Sequence, residues 1–386
     1  MLAAVVAALL VAGLVVAVVR DDEPVRTTAP STSTSTSSTV VEATTTTATP
    51  TSELDRQIAE IEAFVSKARG LPFKAKVKVT LLDDAAFRAR LKEDSDFDQA
   101  ELAKTTKVLR ALDLIEEDVD LEAAYNALLG GAVLGLYDYE KDEMVIRGAT
   151  LTPGVRQTLA HELTHALQDQ HFQLDRPELE KRDDEAELAF AGLVEGDARR
   201  IEGEYEATMS AGDRRQAERQ TTSGSLPAGI PPVLIQSLQF PYVYGPPFAA
   251  DVVDEGGQAR IDEAFRSPPA TSEHIIHPET FLRGEQPRAV AEPPADGAVF
   301  DRGVVGEFGL VLIFGDDLRT SDLRRAVSGW GGDRYVAWEA DGRVCVRAAF
   351  EMDTAKDADE LRSALSTWAK RHRGASVQGT TLTSCR

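Results

Sequence analysis

The chain has few basic residues and few cysteines for its length. Its 42 lysines and arginines face 64 aspartates and glutamates, so the formal net charge is −22. An acidic excess of this size disfavours nucleic acids and anionic membrane surfaces as partners. Two of the 386 residues are cysteines, and their spacing matches no metal site. The sequence contains no internal repeat, which argues against a repeat architecture.

The two cysteines, Cys345 and Cys385, predict one disulfide. They lie in the strand-like runs 344–350 and 376–385, and an amphipathic helix is predicted between them at 358–371. An even pair of cysteines forms a disulfide in an oxidising compartment, whereas both thiols stay reduced in the cytoplasm. We expect the bond, which would pin the C-terminus to a sheet.

An uninterrupted apolar run occupies residues 2–19 and ends at Arg20. A run of about eighteen apolar residues can cross a bilayer core. A signal peptide would have a basic start and a better cleavage site than residues 17–19 offer. Residues 1–20 are therefore predicted to form an uncleaved transmembrane helix, and a cleaved signal peptide is the alternative.

Residues 21–52 are dominated by threonine and serine, with scattered proline. A segment with so few large apolar residues cannot bury enough surface to fold, so a disordered stalk is predicted. An anchor followed by a stalk predicts a single-pass cell-membrane protein whose remaining residues lie outside the cytoplasm.

The most informative feature of the chain is the sequence His-Glu-Leu-Thr-His at residues 161–165. Residues four apart lie on one face of an α-helix, so His161 and His165 can bind the same metal ion. Glu162 lies one residue further along, where its carboxylate can reach a metal-bound water. Because zinc lowers the pKa of such a water towards neutrality, a nearby carboxylate can accept its proton.

The surrounding residues favour a buried helix around this motif. Thr152 can cap the helix, Pro153 suits its first position, and residues 155–170 contain no helix breaker. Apart from Glu162 and the two histidines, residues 160–167 are uncharged, as expected of a helix that is buried around a metal. The alternative is an ordinary amphipathic helix with two partly exposed histidines, because short motifs also occur by chance.

A third protein ligand is required, and Glu195 is the first of two choices. It lies on a second predicted helix, 183–209, where the small residues Gly192 and Gly196 would allow a close approach to the metal helix. Two histidines, one glutamate and one open position form a known catalytic zinc arrangement. The alternative is that Glu195 is one acid among many on a charged helix.

The second choice is His171, which gives the three-histidine spacing of metzincins. Metzincins carry glycine midway, where the chain turns out of the helix, but this chain has Gln168 at that position. Glutamine is a good helix former and a poor residue at positive φ. In a continuing helix His171 faces away from His165, so the sequence favours Glu195.

The motif and the downstream Glu-Gly-Asp-Ala at 195–198 resemble the gluzincins, the thermolysin-like clan of metallopeptidases. The resemblance extends from about residue 54 to the C-terminus. It is closest to uncharacterised membrane-anchored bacterial and archaeal proteins of this type in four stretches, 135–138, 160–172, 193–198 and 272–278.

This resemblance implies a zinc centre and a reaction. His161, His165 and Glu195 would bind Zn²⁺, and Glu162 would be the general base for hydrolysis of a peptide or protein substrate. Two other functions stay open, a non-proteolytic zinc amide hydrolase of the cell envelope and an inactive metal-binding protein. The complete motif argues against the second, because an inactive site often loses its glutamate.

Two further roles are implied by the resemblance. Thermolysin has an aspartate four residues after its ligand glutamate, where it orients a ligand histidine; Arg199 stands here instead, and Asp197 is the candidate replacement. A gluzincin also needs a donor that stabilises the oxyanion. His277 is the candidate, with Tyr242 and Tyr244 as alternatives, although a histidine before proline is more often structural.

Two short strands, 133–139 and 143–147, are predicted directly before the metal helix. In gluzincins the strand upstream of that helix binds the substrate backbone by strand addition, and an exposed edge has the unpaired groups to do so. The alternative is a purely structural hairpin. After the second metal helix, residues 211–225 are predicted to form a polar loop.

The predicted fold class is α+β. Residues 53–225 are expected to form a zincin-like catalytic domain with the motif helix and the ligand-glutamate helix. Residues 226–386 are expected to form an α+β region that completes the active-site cleft. With the transmembrane helix at 1–20 and the stalk at 21–52, the chain is predicted to be a membrane-tethered, extracytoplasmic zinc metallopeptidase. The sequence specifies neither the cleaved peptide sequence nor the oligomeric state.

Overall fold

The computed structural model describes residues 14–16, 53–94, 98–138, 141–180, 184–222, 228–315 and 317–386. These residues form fourteen helices and nine strands in two sheets, which is a mixed α+β architecture. The predicted stalk at 21–52 lies outside the described residues.

The first sheet has four strands, β1 (Leu14–Val16), β2 (Lys78–Leu82), β3 (Val133–Asp138) and β4 (Glu143–Arg147). Their order is β1-β3-β4-β2, with β2 parallel to β4 and the other pairs antiparallel. The helices in this part of the chain are α1 (Glu53–Arg69), α2 (Asp84–Asp94), α3 (Gln99–Ala111) and α4 (Leu121–Ala132). Strand β3 thus lies inside the sheet, between β1 and β4.

The predicted transmembrane helix at 1–20 is wrong. Residues Leu14–Val16 of this segment are extended and pair with β3, with Leu14 opposite Leu136 and Val16 opposite Val133. Within the described ranges, no helix combines the length and the apolarity that a membrane crossing needs. The run is rich in valine, whose branched side chain suits a strand, and apolarity alone does not distinguish a strand from a helix. The other residues of 1–20 lie outside the described residues.

The motif helix is α5 (Pro153–Phe172). The side chain of Thr152 accepts the N–H of Val155, and Pro153 opens the first turn, where its missing N–H costs no hydrogen bond. The helix is buried along most of its length, and its apolar side packs with residues of α1, β3 and β4 in one hydrophobic cluster. The next helices are α6 (Pro177–Glu180), α7 (Asp184–Thr208), α8 (Ala211–Thr222) and α9 (Pro232–Arg266).

Helix α8 occupies most of the region predicted as a polar loop at 211–225. Arginine, glutamine, alanine and glutamate are good helix formers, so a polar composition does not exclude a helix. The side chain of Gln220 accepts the N–H of Gly154 at 2.9 Å, which satisfies a backbone donor at the start of α5.

The sequence predicts that Gly192 and Gly196 of α7 allow this helix to lie close to the motif helix α5. In the structure both glycines lie against other parts of the chain. A Cβ atom at Gly196 would overlap the carbonyl of Gly245 on α9, and one at Gly192 would lie 2.8 Å from the side chain of Ile275. The glycines therefore allow α7 to pack closely on α9 and on the short helix α10 (Ser272–Ile276). Helix α9 contains three internal prolines and a break at Gly256 and Gly257.

The C-terminal part contains the second sheet, with strands β5 (Ala298–Gly303), β6 (Trp330–Ala340), β7 (Arg343–Met352), β8 (Ala375–Gln378) and β9 (Thr381–Cys385). All its pairs are antiparallel, in the order β5-β6-β7-β9-β8. Its helices are α11 (Pro278–Leu282), α12 (Gly306–Phe314), α13 (Thr320–Val327) and α14 (Ala355–Ala369). The largest hydrophobic cluster extends from Phe87 to Leu382, so this part shares a core with α7 and α9.

The predicted disulfide is confirmed. Cys345 on β7 and Cys385 on β9 are paired residues in the sheet, and their sulfur atoms are bonded. The bond fixes the last strand of the chain to the centre of the second sheet, as the sequence predicts.

Close packing of α7 on α9 should make Gly196 intolerant of a side chain. We expect Gly196→Ala to lower the free energy of unfolding by about 1–3 kcal/mol, because the added methyl group meets the α9 backbone. Gly203→Ala on the same helix is the control, since nothing lies within 4 Å of its added Cβ. It should stabilise the protein by about 0.5–1 kcal/mol. Calorimetric melting of both variants tests this, and equal effects would contradict the packing argument.

Candidate metal centre

Three side chains meet at one buried point between α5 and α7. The distance from His161 Nε2 to Glu195 Oε2 is 3.0 Å, and that from His165 Nε2 to the same oxygen is 3.4 Å. The two Nε2 atoms are 2.9 Å apart. In the part of the chain that the structure describes, this is the one group of three His, Cys, Asp or Glu side chains that could hold a metal ion.

In both imidazole rings the Nδ1 atom, which points away from the cluster, faces a hydrogen-bond acceptor. His161 Nδ1 lies 2.9 Å from Glu202 Oε2, and His165 Nδ1 lies 3.0 Å from Gln168 Oε1. An imidazole nitrogen that faces an acceptor carries the proton, so the lone pair of each neutral ring lies on Nε2. The two Nε2 lone pairs and the carboxylate oxygen of Glu195 therefore face one another.

This donor set fits zinc. Three lone-pair atoms at such short distances repel unless a cation or a proton lies between them. A tetrahedral zinc ion with ligands at about 2.0–2.1 Å holds those ligand atoms roughly 3.3 Å apart, close to the 2.9–3.4 Å separations found here. Two histidines and one glutamate leave the fourth position for water or substrate.

The electrostatics of the cluster also favour a bound cation. Burial lowers the pKa of His161, but the hydrogen bonds and charges of Glu195 and Glu202 outweigh it and raise the pKa to about 9. Without metal a proton on His161 therefore supplies the positive charge of the cluster, and a bound cation would replace that proton. Burial raises the pKa of both carboxyls, but His165 and His161 lower that of Glu195 to about 2, and Arg199 and His161 lower that of Glu202 to about 2. Two carboxylates thus remain ionised in a site that is almost closed to solvent.

Glu162 lies against the first sheet. Its side chain is fully buried, and a Cβ atom built at Gly135 on β3 would lie 2.7 Å from its Oε1 atom. The carboxylate therefore fills the space that the missing side chain of Gly135 leaves, directly beside β3. Both strands that were candidates for binding a substrate backbone are paired on each side within the sheet, β3 with β1 and β4, and β4 with β3 and β2.

The three predicted oxyanion donors are separated in the structure. Tyr242 hydrogen bonds to Glu195 and is influenced by the charge of Glu162, so it lies at the metal cluster. His277 is bonded to Glu307 on α12, with Nε2 to Oε1 at 3.0 Å. Tyr244 lies two residues after Tyr242 and therefore on a different side of α9. Its ring packs against phenylalanines of α9 and α12.

The two motif histidines are oriented by different residues, and only one of these residues was predicted. Glu202, and not Asp197, contacts His161, and Arg199 donates to both oxygens of Glu202 at 2.6 Å. Asp197 accepts a hydrogen bond from Gln168, the residue that holds His165. Sequence reasoning missed Glu202, although its position seven residues after Glu195 places both on one helix face two turns apart.

The alternative ligand His171 lies elsewhere. Helix α5 continues through it to Phe172, as the glutamine at 168 predicts, and His171 Nε2 bonds to the carbonyl of Pro72 at 2.8 Å. The chain turns only at Gln173, which has a positive φ. The geometry thus brings Glu195, and not His171, to the two motif histidines.

We predict that Glu195→Gln loses zinc and that His171→Ala retains it. Loss of a ligand should weaken zinc binding by more than the roughly 10–100-fold that loss of an outer partner costs. Plasma emission analysis of the gel-filtered full chain measures the bound metal. Zinc retained by Glu195→Gln and lost from His171→Ala would contradict the assignment.

A family model described as a domain of unknown function (DUF8575) matches residues 296–385. This segment contains the second sheet, whereas the metal cluster lies on α5 and α7. Neither the curated proteins nor the solved structures include a match to the chain.

Proposed function

We propose that this chain is a zinc metallopeptidase of gluzincin type. The observation that carries the proposal is the convergence of His161 Nε2, His165 Nε2 and Glu195 Oε2, together with the buried carboxylate of Glu162, the residue that follows His161. A structural zinc site has four protein ligands, whereas three ligands with a neighbouring carboxylate are typical of a hydrolytic site.

Each side chain of the site would have a separate role in the reaction. His161, His165 and Glu195 would hold zinc, which supplies a Lewis acid and lowers the pKa of a bound water. Glu162 would accept a proton from the attacking water and deliver it to the nitrogen of the leaving amine. Glu202 and Gln168 would keep both imidazole rings in the tautomer that presents Nε2.

Tyr242 is the side chain that we assign to the oxyanion. Burial first, and then the charge of Glu195, raises the pKa of Tyr242 well above its ordinary value, so its hydroxyl keeps the proton that it would donate. Its hydrogen bond to Glu195 supports a position beside the reacting carbonyl. His277, with its ring bonded to Glu307, lacks this support.

The disulfide supports a proposal about the compartment. A bond between Cys345 and Cys385 is typical of an oxidising environment, so we propose that the enzyme works outside the cytoplasm. A zinc amide hydrolase acting on non-peptide amides would use the same groups, and an inactive metal-binding protein would keep them without turnover. Peptide cleavage separates the first proposal from both alternatives.

We expect Glu162→Gln to abolish peptide hydrolysis while zinc content and melting temperature stay unchanged. Glutamine keeps the shape of the side chain but cannot accept the proton, and loss of a general base costs about 10²–10⁴-fold in kcat. A mixed peptide library incubated with the full chain and read by mass spectrometry supplies the substrate. Glu178→Gln, at an exposed position on α6, is the control and should cleave like the wild type. A Glu162→Gln variant that cleaves normally would refute the role, and a zinc-loaded wild type that cleaves no peptide would favour the alternatives.

The oxyanion assignment predicts a difference between two variants. Tyr242→Phe should lower kcat by about 10²–10³-fold, the usual cost of removing one oxyanion donor, with little change in KM. His277→Ala should keep kcat within about threefold of the wild type, since removal of a group outside the site leaves the transition state unchanged. Steady-state kinetics on one library-derived peptide measure both, and the opposite ranking would return the role to His277.

A further inference from the structure

The ligand His165 is connected to a buried arginine on another helix. We propose that Arg69, the last residue of α1, is a positioning residue that sets the orientation and tautomer of His165 through Asp197 and Gln168. The inference rests on the proposed zinc site and deepens it, because it adds a residue of α1, a helix that carries none of the proposed metal ligands and not the general base. Arg69, Asp197 and Gln168 are all buried.

The connection is a continuous series of hydrogen bonds. Arg69 Nε donates to Asp197 Oδ2 at 2.7 Å, and Gln168 Nε2 donates to the same oxygen at 3.1 Å. Gln168 Nε2 also donates to the carbonyl of Val194, at 3.1 Å. On the other side of the amide, Gln168 Oε1 faces His165 Nδ1 at 3.0 Å.

The chemistry of these groups gives the series one direction. A guanidinium group donates hydrogen bonds and accepts none, so the oxygen of Asp197 that faces Arg69 is an acceptor. The same oxygen therefore takes the N–H of the Gln168 amide, which turns the amide oxygen towards His165. His165 must then carry its proton on Nδ1, and its Nε2 lone pair faces Glu195 and the metal position.

The guanidinium group of Arg69 makes several further contacts. Its Nη1 donates to Gln258 Oε1 at 3.0 Å, and its Nη2 forms an ion pair with Asp262 at 2.6 Å. The guanidinium lies 5.7 Å and 5.8 Å from the ring centroids of Phe172 and Phe265, which stack on each other. A planar guanidinium can satisfy these partners together, whereas the single ammonium of lysine cannot keep the same geometry.

The two ligand histidines are thus held by different networks. His161 is held by Glu202, with Arg199 and Gln157 behind it, and all of these lie on α5 and α7. His165 is held through Asp197 by Arg69 from α1. A change at Arg69 should therefore act on the metal through His165, and its effect should depend on Gln168.

The test is a double-mutant cycle on the full chain, with zinc affinity as the readout. Gln168→Met removes the amide, Arg69→Met removes the guanidinium, and each should weaken zinc binding by about 10–100-fold, as outer partners of metal ligands do. The double variant should bind zinc no more weakly than the weaker single variant, because both act on one series. Affinity is measured by competition with a chromophoric chelator.

A loss of zinc affinity caused by general destabilisation has to be distinguished from one caused by misplacement of His165. Asp333→Ala is the matched control. Asp333 is a buried carboxylate in the second sheet that accepts the N–H groups of Val305 and Gly306. Its loss should lower the melting temperature of the metal-free chain while zinc affinity stays within about twofold. Arg69→Lys, which keeps the charge, is measured in case Arg69→Met does not fold, and it should also weaken zinc binding.

The outcomes are distinguishable. Weaker zinc binding in either Arg69 variant, non-additive with Gln168→Met, supports the inference. Zinc affinity in the Arg69 variants that matches Asp333→Ala at a similar loss of melting temperature overturns it. Independent, multiplying effects of Arg69 and Gln168 overturn it as well. A wild-type chain that binds no zinc overturns the proposed function and this inference together, whereas normal wild-type binding with unaffected Arg69 variants overturns the inference alone.

Discussion

Two imidazole nitrogens and one carboxylate oxygen face one another inside this protein, and lone pairs at 2.9–3.4 Å repel unless a positive charge lies between them. Much of the surrounding structure follows from that constraint. Each imidazole ring keeps a proton on Nδ1, on the side away from the cluster, because an acceptor faces that nitrogen. Glu202 is the acceptor for His161 and Gln168 is the acceptor for His165. Two carboxylates behind the cluster are paired with arginines, Asp197 with the buried Arg69 of α1 and Glu202 with the half-buried Arg199 of α7.

The fold holds this cluster by close helix packing. Helix α5 lies against α1, β3 and β4, and α7 brings the third ligand to it. Glycines on α7 and α9 let their backbones meet, so Tyr242 of α9 reaches Glu195. Gly135 on β3 leaves the space that Glu162 fills. Glycine positions therefore determine how closely these buried side chains approach one another.

The sequence was informative where function depends on local spacing. The i,i+4 histidines, the helix cap at Thr152 and the absence of a turn at Gln168 follow from helix geometry, and the structure agrees with each. Tertiary relations were not readable. The sequence ranks His277 before Tyr242 as the candidate oxyanion donor, and only the packing of α9 shows that Tyr242 lies at Glu195. From the sequence, Glu202 is one acid among many on a charged helix. The helix predicted for the apolar run at 2–19 is wrong at residues 14–16, because apolar composition does not distinguish a strand from a membrane span.

X-ray absorption at the zinc edge of the purified full chain tests the central claim most directly, because it reports the ligand atoms without a substrate. We predict one zinc per chain with nitrogen and oxygen neighbours at about 2.0–2.1 Å, the outer-shell scattering of two imidazoles, and no sulfur. A sulfur neighbour, the scattering of three imidazoles, or a chain that takes up no zinc would contradict the proposed site.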